Sequence, residues 1–308
     1  MTQSVTNMEN TQFSGTGVAL VTPFRDDGSI DVENLRKHVE FQIENGVGVM
    51  VPGGTTGEGV TLSADEHQLL IRTTVEATRA RVSVLAGAGG SDTADVVRKA
   101  RAAREAGADG ILSVSPAYNK PTQRGLVEHY RAVAGAVDCP VLIYNVPGRT
   151  ASNVLPETVL TLAEIENITG VKEASGDLDQ IMTLIRGRPE GFTILSGDDA
   201  LTFPLLALGA DGVISVVANL APALMSQMVE KALSGDHAGA RELHYRLLPL
   251  MRAVFIETNP IPVKAALEIM GHGRAHYRLP LVRPTAEVEA FLRSTLTDVG
   301  LLDAEGAT

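Results

Sequence analysis

Lys172 ends an apolar run that begins at Ile168 and reads ITGVKEASG. An ammonium carried into a covered sheet is costly to bury, and burial favours the neutral amine, which can attack a carbonyl. Two plainer readings compete: Lys172 reaches solvent, or it pairs with Glu173. The preceding run leads into YNVPGRT, with Tyr144 at its end and Arg149 in the loop that follows. Arg149 offers a planar fork suited to a carboxylate, although loop arginines are commonly just solvated. GGTTGE, at Gly53–Glu58, pairs glycines that admit a ligand to the backbone with two hydroxyls, Thr55 and Thr56. It reads as a carboxylate cradle or as an ordinary turn. SPAYNKP puts Tyr118 after another apolar run. A buried tyrosine needs a hydroxyl partner, so either tyrosine could be structural. Together the set holds an amine, a proton shuttle and carboxylate binders, which is what Schiff-base chemistry on a 2-oxo acid requires.

Such residues must be carried to one place. Eight short, β-branched apolar runs recur, starting at Val18, Val47, Val82, Gly110, Val141, Ile168, Phe192 and Gly212. Each is apolar on both faces, as strands of a covered parallel sheet are. Helical patterns lie between them, as in Val32, Leu35, Val39 and Ile43, or Leu126, Tyr130, Val133 and Val137. Ser63 followed by Glu66 predicts a capping box. Gly-Ala-Asp-Gly occurs at Gly107–Gly110 and again at Gly209–Gly212, each time between helix and strand, with the first glycine placed to end the helix. Eightfold strand–helix alternation predicts an α/β fold, a closed (β/α)8 TIM barrel, with its site at the C-terminal ends of the strands. An open doubly wound sheet is the alternative, but GAGGSD at Gly87–Asp92 lacks the G-x-G-x-x-G spacing. The expected divisions are a flexible tail over residues 1–14, the barrel over 15–233 and a helical C-terminal extension over 234–308.

Composition narrows the function classes. The 308 residues are 44% hydrophobic, which excludes a disordered chain. One cysteine cannot form an intrachain disulfide framework. A net charge of −11 disfavours nucleic acid and anionic membrane surfaces as partners. No run of about 18 apolar residues predicts a membrane span, and Met1–Gln12 lacks a signal peptide's basic start and apolar stretch. A cytoplasmic enzyme is the default expectation.

GGTTGE, YNVPGRT, VKEASG, LSGDD and NPIPVK appear in that order, and the chain from about Gly15 to about Leu302 resembles the dihydrodipicolinate synthase family, within the pyruvate-dependent class I aldolases. The resemblance implies a homotetramer built as a dimer of dimers. It also implies condensation of pyruvate with L-aspartate 4-semialdehyde in lysine and diaminopimelate synthesis, with no metal or organic cofactor. Lys172 matches the family's Schiff-base lysine and Tyr144 its proton-relaying tyrosine. Thr55 matches the threonine that links Tyr144 to a second tyrosine, matched by Tyr118, which reaches into the neighbouring subunit's site. Thr56 matches the pyruvate-carboxylate binder and Arg149 the arginine that holds the semialdehyde's carboxylate. Gly197 and Ile214 match positions whose backbone lines the pyruvate pocket. N-acetylneuraminate lyases and 2-keto-3-deoxy-sugar-acid aldolases share the lysine and the loop, but the doubled threonine and the N-V-P-G-R-T arginine favour the synthase. The intact set counts against a non-catalytic binding relative.

Some positions depart from the family pattern. Those that align with the lysine-feedback pocket include Gly59, Ala64, Ser91 and Ala117, which lack larger or more polar groups. Weak or absent feedback is therefore expected. His272 and His276 are four apart, but Gly271 and Gly273 interrupt a helix there and no third ligand is evident. Cys139, before Pro140 at the start of a strand, has no activating neighbour in sequence.

Overall fold

The computed structural model describes residues 13–303. Eight parallel strands close in sequence order: β1 (Gly15–Ala19), β2 (Val49–Val51), β3 (Ser83–Gly87), β4 (Gly110–Val114), β5 (Val141–Asn145), β6 (Ile168–Glu173), β7 (Thr193–Ser196) and β8 (Gly212–Ser215). The principal helices following successive strands are α1 (Val32–Glu44), α2 (Ala64–Thr78), α3 (Thr93–Glu105), α4 (Gln123–Ala134), the short α5 (Pro147–Thr150) with α6 (Pro156–Leu162), α7 (Leu178–Gly187), α8 (Thr202–Leu208) and α9 (Pro222–Leu233). The expected tail falls largely on residues 1–12, outside the described residues. Phe13 is core, at 2% exposure.

Local chemistry sets the helix ends. Ser63 accepts from the Glu66 amide while Glu66 accepts from the Ser63 amide, the reciprocal box expected there. Gly107 and Gly209 take φ of +98° and +106°, so the repeated turn uses its glycine to leave a helix left-handed. The pattern through Val137 runs past its helix: α4 ends at Ala134, Gly135 caps it, and Val137 lies beyond the turn that follows.

Strand alternation sorts the core into an inner and an outer layer. In β5, Leu142 and Tyr144 join the cluster inside the barrel, whereas Val141 and Ile143 pack with the helices around it. The β5–β6 register shifts between Val141 and Leu142, whose partners are Ile168 and Gly170. This one-residue bulge sets Lys172 directly beside Tyr144. Without it Val171, an outer-layer residue, would stand there.

Three helices follow the barrel: α10 (His237–Ala253), α11 (Ile261–Ile269) and α12 (Ala286–Asp298). They share the hydrophobic cluster of the barrel interior. In α11 every residue from Ile261 to Leu267 is buried, Lys264 included, so this helix is enclosed rather than laid on a surface. No helix among the described residues is long and apolar enough to cross a membrane.

Candidate active site

A cavity of about 150 Å³ opens at the C-terminal ends of the strands. A cavity of roughly that size holds a six-heavy-atom molecule. Thr55, Thr56, Tyr144, Arg149, Lys172 and Gly197 all line it.

Lys172 is 5% exposed and makes no salt bridge among the described residues. Its Nζ lies 4.3 Å from the Tyr144 ring centroid, a placement that gives a cation some attraction without a counter-charge. Pairing with Glu173 does not occur. Alternation turns Glu173 outward, where its carboxylate accepts from Asn145 Nδ2 and the Ser175 amide. Burial raises the Glu173 pKa above the ordinary carboxylate value. Gly197 leaves the room that the lysine needs: a Cβ there would stand 3.0 Å from Lys172 Cε and 2.7 Å from Ala174 Cβ.

Two of the expected residues are placed elsewhere. Tyr118 is 93% exposed and does not line this cavity. Its φ of +71° is unusual for a bulky side chain, a local strain. No hydrogen bond among the described residues joins Thr55, Tyr144 and Tyr118 within the chain. Ile214 is buried in β8 opposite Gly17, and Val216, two residues on, lines the cavity instead.

The extension supplies two wall residues that no sequence reading assigned, Phe255 and Asn259. Asn259 Nδ2 donates to Thr56 Oγ1 at 2.9 Å, and the Asn259 carbonyl accepts from Arg149 Nη2 at 3.4 Å. One turn into α11, Lys264 Nζ donates to Glu58 Oε1 at 2.5 Å, with both side chains at most 3% exposed. Burial lowers the Lys264 pKa, opposed by Glu58. Glu58 holds a left-handed φ of +52° and also accepts from the Arg278 amide at 3.2 Å. NPIPVK was visible as a motif, but nothing in it named its partners more than 200 positions away.

Asp199, from LSGDD, is likewise new. Buried at the start of the short helical turn that follows β7, its carboxylate accepts from the Ser215 hydroxyl and from the Val216 and Val217 amides. It thereby fixes the backbone of the cavity wall after β8. Burial pushes its pKa up to about 6, against the pull of those three donors.

A parallel barrel with an unpaired lysine beside a tyrosine at its mouth is the architecture of the lysine-dependent aldolase class. The chain belongs to the Dihydrodipicolinate synthetase family, whose profile matches residues 12–299. It is 51% identical over 290 residues to a 4-hydroxy-tetrahydrodipicolinate synthase of Syntrophus aciditrophicus, covering 94% of this chain and 99% of the relative. It is 52% identical over 289 residues to the enzyme of that name from Koribacter versatilis, covering 94% and 96%. Its fold superimposes on the crystal structure of dihydrodipicolinate synthase from Thermotoga maritima with a TM-score of 0.93, at 44% identity, covering 94% of this chain and all of that one.

Proposed function

We propose that this protein is a 4-hydroxy-tetrahydrodipicolinate synthase, a lyase of lysine and diaminopimelate biosynthesis, and that Lys172 is its Schiff-base residue. The function follows from family membership and near-full-length identity to enzymes of that name. The observation that carries the site assignment is a buried lysine without a carboxylate partner, beside Tyr144, in a cavity that also presents Thr56 and Arg149.

In the proposed route the Lys172 amine adds to the ketone carbon of pyruvate, and loss of water gives the imine. The imine withdraws electrons, so a methyl proton leaves and an enamine forms. The enamine carbon attacks the aldehyde of L-aspartate 4-semialdehyde, whose oxygen takes up a proton. The amino group of that substrate then adds to the imine carbon and expels Lys172, closing the ring. Tyr144 moves the protons, with Thr55 and Tyr118 completing its relay. Thr56 receives the pyruvate carboxylate and Arg149 that of the semialdehyde, while Gly197 and the backbone near Ile214 shape the pocket. Every step uses groups of the chain or substrates, so the route needs no metal or organic cofactor.

The assembly follows the same reading, as a homotetramer of paired dimers in the cytoplasm. Tyr118, 93% exposed on a strained backbone, supports this, as does Val60 at 95% exposure. Both fit contacts with a partner copy. The division into a barrel over residues 15–233 and an extension over 234–308 is retained, with the extension reaching into the site through Asn259.

Borohydride reduction with pyruvate, followed by peptide mass analysis, tests the site. Lys172 should carry the reduced adduct, and its absence would refute the assignment. In the same assay Arg149→Ala should leave adduct formation largely intact while the semialdehyde requirement rises steeply.

A further inference from the structure

We propose that Asn259 is a positioning residue for the keto-acid carboxylate: held by the C-terminal extension, its side-chain amide fixes the Thr56 hydroxyl so that its proton faces the bound carboxylate. This rests on the reading above that Thr56 receives that carboxylate. A hydroxyl has one proton to give and two lone pairs. Asn259 Nδ2 donates into Thr56 Oγ1 at 2.9 Å, which occupies a lone pair and leaves the proton uncommitted. Among the described residues the Thr56 hydroxyl donates to no protein acceptor, and Thr56 lines the cavity. A carboxylate entering there meets a donor already set, and a hydrogen bond to a charged acceptor is one of the strong ones.

The amide's orientation is the telling detail. Asn259 Oδ1 is buried with no hydrogen-bond partner among the described residues. A buried orphan acceptor is costly and calls for a reason. Turning the amide over would aim Oδ1 at Thr56, and the hydroxyl proton would then be spent inside the protein. Either orientation leaves one Asn259 amide atom without a partner among the described residues, and the one in the structure orphans the acceptor and keeps the hydroxyl proton free for the ligand.

The amide is also held against drift. Asn259–Thr56 and Lys264–Glu58 are two ties between the same two segments, and the second is a buried ion pair. The Asn259 carbonyl further accepts from Arg149 Nη2, so one residue touches the groups assigned to both substrate carboxylates.

The test compares Asn259→Leu, Thr56→Val and the double variant by calorimetric titration with pyruvate and by borohydride labelling. Asn259→Leu should weaken pyruvate affinity about tenfold, leave labelling at saturating pyruvate unchanged and shift the semialdehyde KM less than about twofold. In the Thr56→Val background it should have no further effect, because it acts through that hydroxyl. Should the leucine variant fail to fold, Asn259→Ser, whose hydroxyl is too short to reach Thr56, makes the same comparison. Unchanged pyruvate affinity, or effects that multiply in the double variant, would overturn the proposal. Labelling of Lys172 in the parent with no affinity change on Asn259 substitution removes the positioning role alone. A Thr56-dependent affinity change without labelling removes the Schiff-base reading and leaves the positioning in place.

Discussion

Gly197→Ala separates the stability of this barrel from the placement of its amine. The new Cβ would lie 2.7 Å from Ala174 Cβ and 3.0 Å from Lys172 Cε, where ordinary contact begins at 3.4 Å. The Ala174 Cβ is fixed to backbone, so strand β7 must yield by several tenths of an ångström, a strain of about 1–3 kcal/mol. Lys172 Cε belongs to a flexible side chain and gives way cheaply in energy. Its neighbour is Nζ, however, and a displacement of about 1 Å at a reacting atom costs on the order of 100-fold in rate. The expected result is a folded enzyme, destabilised modestly in urea, whose rate of borohydride trapping at saturating pyruvate falls about 30- to 100-fold. Adding Ala174→Gly should recover much of the stability, since it removes the closest rigid contact and leaves only the Glu173 carbonyl at 3.2 Å, but not the trapping rate, since the lysine contact remains. Gly148→Ala, whose Cβ meets nothing within 4 Å, controls for a bare glycine replacement. A Gly197→Ala enzyme trapping within threefold of the parent, or full rescue by Ala174→Gly, would refute the steric argument.

Three further outcomes follow from the same geometry. Lys264→Met should cost about 3–5 kcal/mol in urea unfolding, because it strands the Glu58 carboxylate in the interior, while Glu58→Gln with Lys264→Met should recover much of that; equal losses would show that the ion pair is not what matters. Asp199 gives a pH signature. Its folded pKa of about 6 exceeds the ordinary 3.8, so between about pH 4 and 6 the folded chain keeps a proton that the unfolded chain releases. Stability from this group therefore falls as pH rises through that window and is level above it, and the parent's margin over Asp199→Asn should shrink by up to about 3 kcal/mol; a margin flat from pH 4 to 6 would contradict the assignment. Millimolar L-lysine should leave the rate unchanged, since Gly59, Ala64 and Ser91 offer no larger or more polar groups at the positions aligned with the feedback pocket and Ala117 presents no aromatic wall; half-inhibition in that range would overturn this.

Much of the site could be read from the chain because polar residues ending apolar strands are conspicuous. Lys172 and Tyr144 stood out that way, and the barrel places both at one mouth. Their adjacency was not legible. It depends on the one-residue shift after Val141, and no side-chain pattern marks a bulge. GGTTGE reads as a carboxylate cradle or an ordinary turn, and nothing local shows that the Glu58 charge is buried against Lys264. The barrel–extension contacts escaped for a related reason: periodicity reports which face of a helix is apolar, not what that face meets. Tyr118 lies between these cases, since its neighbourhood in sequence predicts a mouth residue and the single chain holds it away from its own cavity.

The tie between Glu58 and Lys264 spans 206 positions. At a synthesis rate of about 5–20 residues per second, Glu58 leaves the ribosome roughly 10–40 s before its partner is made. Throughout that interval the loop bearing Thr55 and Thr56 has no cation to bury beside Glu58, and Asn259 does not yet exist. Lys172 is therefore translated well before Phe255 and Asn259, which complete the wall of its cavity. A chain halted between Lys172 and Asn259 carries the amine without the residue that ties the Thr56 loop to the extension, so the cavity is closed only once the extension is made.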